Sequence, residues 1–179
     1  ALILAPMHWP DLTQYFSEQL LAADNLLIMA VIFPVLKAFH ELGHGLATKA
    51  RGGEVHDMGI MLLVFFPVPY VEASSASAFV NKTDRMLVGA AGMLTEIFIG
   101  AIAFYFWLLL EPGLARSLAY NVIVMASVST VVFNGNPLLR YDGYYILADW
   151  LEIPNLGTRA NQYWRYLLDR YGFDLTLSE

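Results

Sequence analysis

The chain has 179 residues, 58% of them hydrophobic and only 15% charged, with a mean hydropathy of +0.52. That balance is far from an ordinary soluble domain and calls for membrane spans. The net charge of −6 says little, because the few charges have specific positions, and the absence of cysteine leaves only His, Asp and Glu to hold a metal.

In chain order, residues 1–10 read as the end of a preceding membrane helix, in which His8 is incidental. Because the chain starts without Met, the whole of 1–179 is expected to be an excerpt of a longer protein. Residues 25–51 form one long apolar helix, kinked near Pro34, which lacks a backbone donor, and stopped by Gly52-Gly53. Inside that helix lies His40-Glu41-Leu42-Gly43-His44. Residues four apart share a helix face, so both imidazoles can reach one metal ion. Glu41 falls between them, where a carboxylate can take a proton from an attacking water. This is the HExxH arrangement of zinc hydrolases. A soluble metalloprotease helix would have one wet face; this one is apolar nearly all round, apart from Lys37.

Residues 59–71 are apolar but carry Pro67 and Pro69. They are too short and too broken to span a bilayer. A re-entrant or β-hairpin-like insertion around 58–73 is expected, covered by protein or lining a wet cavity. Two further spans follow at 86–110 and 114–134, antiparallel across the short turn of Glu111-Pro112-Gly113. A segment at 134–151 and an interfacial helix at 158–171, with Tyr163, Trp164, Tyr166 and Tyr171 as anchors, complete the chain. The fold class is an all-α membrane protein, a multi-span bundle with one short extended insertion. Lys49, Arg51, Lys82 and Arg85 lie on one side of the bundle, which the positive-inside rule makes cytoplasmic. His44 is then about 10 Å from Arg51 along the helix. The third span ends at Asn134 on the same side and at a similar depth.

Two histidines leave a catalytic zinc site one protein ligand short. The candidates are His56, Glu72, Glu96 and Asp142. His56 lies beyond the Gly-Gly stop, and Glu72 follows the proline-rich segment. Asp142 is favoured, because it follows Asn134-x-x-Pro137 at the right depth and precedes Gly143. Glu96 shares a helix face with Gly89, Gly92 and Gly100, which lets another helix approach closely. An unpartnered carboxylate at that depth costs roughly 2.5–3.5 kcal/mol on insertion scales. Glu96 is therefore read either as helix glue paired with Lys37 or as an outer partner of a zinc-binding histidine. Lys37 is read as that partner or as a snorkelling charge. Asn134 either caps a turn or serves the site, and Arg140 anchors at the interface.

HELGH in a membrane helix, followed by Asn134-x-x-Pro137-x-x-x-x-Asp142-Gly143, resembles the site-2 protease family of intramembrane zinc metalloproteases. The wider phrasing of 133–155 is similar to a bacterial branch of peptide zinc metalloproteases. The resemblance covers roughly residues 8–172 and implies one zinc ion per chain, held by His40, His44 and Asp142. It further implies Glu41 as the base and Asn134 as a catalytic helper that binds substrate or stabilises the oxyanion. One departure stands out: Gly92-Met-Leu-Thr-Glu96 replaces the Gly-Pro-x-x-Asn common in that family.

The expected activity is hydrolysis of membrane-embedded or membrane-associated peptides in the bacterial inner membrane, with the site toward the cytoplasm. Lipid, a membrane or exported peptide, and exporter components are the expected partners; nucleic acid is not. The rival reading is a non-catalytic zinc-containing assembly or transport module of a peptide exporter. Glu41 argues against that rival, since a purely structural site has no need for a carboxylate that is not a ligand. A metal permease would spread ionisable residues along a path, whereas here they concentrate at one depth.

Overall fold

The computed structural model describes residues 4–13 and 23–172. Ala5–His8 form a 3-10 turn that continues into helix over 9–13; the rest of the expected preceding helix, residues 1–3, lies outside the described residues. Helix α1 is Ala23–Ala50 and contains Pro34. Its end is a Schellman cap. Gly52 takes φ +80°, its N–H bonds to Lys49 O at 3.0 Å, and Gly53 N–H bonds to Thr48 O at 2.9 Å.

The extended insertion is an antiparallel hairpin of β1, Met58–Leu63, and β2, Phe66–Val71. Its two-residue turn is Val64-Phe65, both at positive φ (50° and 65°). That turn normally takes Asn or Gly, and here it carries two exposed apolar side chains instead. β2 lies against α1, with the Phe33 and Phe66 rings 5.8 Å apart.

Helix α2, Lys82–Leu109, is capped by the Asn81 side chain, which accepts from Thr83 N–H at 3.0 Å. It begins a turn earlier than the apolar run suggests, because the Asn81 cap and Asp84 in the first turn favour a helix start there. Helix α3, Leu114–Val128, runs into a π-helical turn, Ser129–Asn134. Helix α4, Asp142–Leu151, and helix α5, Leu156–Leu167, follow.

Three helices, Asn25–Ala50, Lys82–Leu109 and Leu114–Asn134, are long and apolar enough to cross a membrane. Their packing relies on small residues, as expected where lipid removes the hydrophobic drive between helices. A Cβ on Gly43 would lie 2.8 Å from Ala91 O, and one on Gly100 would lie 3.2 Å from Ala126 Cβ. Asn121 Nδ2 also donates to Asn25 Oδ1 at 2.5 Å, tying α3 to α1. Large apolar side chains such as Leu27, Val31, Leu46, Phe98 and Leu109 face outward, the inverse of a water-soluble surface. An aromatic cluster of Phe104, Trp107 and Tyr120 packs α2 on α3. The Tyr120 hydroxyl donates to Leu12 O at 2.7 Å. His8 lies edge-on to Trp107 in the same cluster, 6.3 Å between centroids.

Candidate metal centre

On α1, the four-residue spacing places His40 and His44 on one face, toward α2. The carbonyl of Val88 accepts from His44 Nδ1–H at 2.7 Å. The carboxylate of Glu96 stands 3.1 Å from His40 Nδ1. A carbonyl and a carboxylate only accept, so both rings carry their proton on Nδ1 and turn a bare Nε2 the other way. Those two Nε2 atoms are 3.1 Å apart.

Asp142 reaches the same point from a distant part of the sequence. Tyr141 is extended, and Asp142 then opens α4. Gly143 makes the approach possible, since a Cβ there would lie 2.7 Å from Gly135 O and 2.8 Å from Asn134 O. Asp142 Oδ2 sits 3.1 Å from His40 Nε2 and 3.5 Å from His44 Nε2. It is buried, and among the described residues no hydrogen-bond donor meets it in good geometry.

Three lone-pair atoms thus converge, one of them a carboxylate oxygen and all largely withdrawn from water. Without a cation between them such an arrangement is repulsive. Zinc bonds of about 2.0–2.2 Å in a tetrahedron place ligand atoms roughly 3.4 Å apart, close to the spacing here. Gly92 leaves the room: a Cβ on it would fall 2.5 Å from both Nε2 atoms. The donor set, the orphaned oxygen and the space fit a zinc ion. Gly92→Ala should accordingly give a folded protein whose zinc content, by metal analysis after dialysis, falls at least about tenfold.

Of the other candidates, His56 pairs at the surface with Glu54 (3.2 Å) and Glu72 (3.4 Å), so neither it nor Glu72 joins the cluster. Glu96 bonds Lys37 Nζ at 2.8 Å and stands 3.1 Å from His40 Nδ1, so the structure brings it to both of its candidate partners. Glu41, next to His40 on α1, is half-buried. Asn134 is buried, with its amide directed at Ser129 and Glu96. Arg140 is exposed, as are Tyr163, Trp164 and Tyr171.

Sequence reasoning did not single out Ser129, Thr130 or the space at Gly92. The stripe of Gly89, Gly92 and Gly100 was visible, but which neighbour it admits was not. The π turn, closed by Gly135 N–H to Thr130 O at 2.6 Å, has no simple sequence signature. It brings Ser129, Thr130 and Asn134 to one buried face, and such turns recur at functional sites.

The site is thus a candidate metal centre of two histidines and an aspartate among three helices able to span a membrane. Among known proteins, the chain is similar to one from Bacillus subtilis (strain 168) named "Putative peptide zinc metalloprotease protein YydH". The two are 25% identical over 142 residues, covering 79% of this chain and 54% of the relative. The chain therefore spans about half the length of that relative. No protein-family model and no solved structure matches.

Proposed function

We propose that this chain carries the catalytic core of a zinc metalloendopeptidase of the site-2 protease type, hydrolysing peptides in or at the membrane. The observation that carries this reading is the convergence of His40 Nε2, His44 Nε2 and Asp142 Oδ2 with Glu41 in the HExxH position beside them. When bound, zinc polarises the scissile carbonyl and lowers the pKa of the attacking water toward about 7. Glu41 accepts the proton of that water and delivers it to the leaving amine. His40, His44 and Asp142 hold the metal, and the apolar faces of α1 and α2 limit access of bulk water.

The substrate must present extended backbone, and the hairpin offers it an edge. Pro67 and Pro69 have no N–H, so their pairs with Leu62 and Ile60 are non-hydrogen-bonded ones. The outer edge of β2 is thereby short of donors, whereas Ile60 and Leu62 turn their backbone groups outward from β1. A peptide strand can add there and leave its other edge free. We place the protein in the bacterial inner membrane with the centre toward the cytoplasm, on the argument from Lys49, Arg51, Lys82 and Arg85. Exporter components are proposed as further partners.

The test is cleavage of fluorescently labelled single-span test peptides by the purified full-length protein in liposomes. Activity should disappear with a zinc chelator and return when zinc is added. A protein that binds zinc yet cleaves none of the peptides would favour the non-catalytic export module.

A further inference from the structure

The proposed chemistry leaves one fully buried carboxylate without a part. Glu96 is 0% exposed. Its Oε1 accepts from Lys37 Nζ at 2.8 Å and from Ser129 Oγ at 3.0 Å, and lies 3.1 Å from His40 Nδ1. Its Oε2 accepts from Thr130 Oγ1 at 2.7 Å, with Asn134 Nδ2 at 3.5 Å. A bare carboxylate in hydrocarbon is expensive, but one ringed by donors from α1 and from the end of α3 is satisfied as an anion.

Two consequences follow for His40. Its Nδ1 lies 3.1 Å from a Glu96 oxygen and 3.5 Å from Asn134 Nδ2; the nearer, charged acceptor favours the proton on Nδ1, which leaves the lone pair on Nε2, the atom that meets His44 and Asp142. Glu96 also has Lys37 as its partner, and metal binding needs a ring whose Nε2 lone pair is free. Asn134 belongs to the same group. Its amide N–H groups face Ser129 Oγ at 3.3 Å and Glu96, propping the carboxylate from the π turn.

We propose that Glu96 is the positioning residue of the metal centre: paired with Lys37, it holds His40 in the Nδ1–H tautomer and aims Nε2 at the metal, while Ser129, Thr130 and Asn134 hold Glu96. This rests on the reading of His40, His44 and Asp142 as zinc ligands.

The experiment uses the full-length protein purified in detergent. Glu96→Gln keeps the shape, removes the charge and presents an amide NH2 in place of one oxygen. Its zinc affinity, measured by competition with a chromophoric chelator, should fall about 10–100-fold. Nitrogen-15 histidine spectra of the zinc-free protein should lose the single Nδ1–H tautomer at His40. Thr130→Val removes one prop while keeping Glu96, Lys37 and His40, so it serves if Glu96→Gln does not fold. It should weaken zinc binding by roughly a few-fold, below the range for losing an outer partner outright. Lower thermal stability with unchanged zinc affinity and an unchanged His40 tautomer would mean that Glu96 only joins helices, and would overturn the assignment. A parent protein that binds zinc but cleaves no peptide would remove the protease reading alone, since the affinity loss in Glu96→Gln would still support the positioning role. A parent that binds no zinc would overturn both.

Discussion

Glu41→Gln is expected to keep zinc and fold while lowering peptide hydrolysis by about 10²–10⁴-fold, the usual worth of a general base. The argument is geometric. Glu41 follows His40 on α1 and is not among the converging atoms, so removing its charge leaves His40, His44 and Asp142 as they are. Gln matches Glu in shape and hydrogen-bonding reach but cannot take up the proton of the attacking water. The measurement is kcat/KM on the cleaved test peptide, set beside zinc content and thermal stability of the same preparation. The loss should fall on kcat, because the substitution leaves the proposed substrate edge of β1 untouched. A variant that cleaves as fast as the parent would remove Glu41 as the base and with it the mechanism proposed above.

Asp142→Ala is expected to cost more zinc affinity than any outer partner, beyond the roughly 10–100-fold of such residues. It leaves two neutral imidazoles where a catalytic site commonly has three protein ligands. The metal-free protein should be no less stable than the parent. Asp142 Oδ2 is a buried anion without a hydrogen-bond donor, so its removal relieves a desolvated charge. Metal analysis and chelator competition measure the first effect, and thermal unfolding of the chelated protein measures the second. Zinc affinity equal to that of the parent would reject Asp142 as a ligand. Loss of stability in the metal-free state would mean that its contacts with the imidazoles hold α4 in place by themselves.

Much of this molecule was legible because its determinants are local. The HExxH spacing is a statement about one helix, and four residues place two imidazoles on one face whatever surrounds them. Run length and hydropathy marked the long helices, since a bilayer accepts few other sequences. The prolines at 67 and 69 with their Ile and Val neighbours marked the hairpin, as a broken apolar stretch cannot continue as a helix. The Gly52-Gly53 stop was equally local, needing only a left-handed residue after the last turn.

What sequence spacing left open depends on how closely separate elements approach. His56, Glu72, Glu96 and Asp142 were all chemically able to be a third ligand. Which one meets the histidines was decided by Gly143 against Asn134 and Gly135, and by Gly92 against the imidazoles. Glu96 was visible as an expensive carboxylate, but not that one oxygen would serve Lys37 and His40 together. That depends on the π turn, which rotates Ser129, Thr130 and Asn134 inward off the regular helical period. The sequence by itself determined the chemistry available in each segment and which helices are long and apolar enough to cross a membrane, because helix period and hydrophobic length are intrasegmental. Only the tertiary structure decided which groups share a metal-sized space, because that is set by the ångström-scale clearance between backbones that glycine permits.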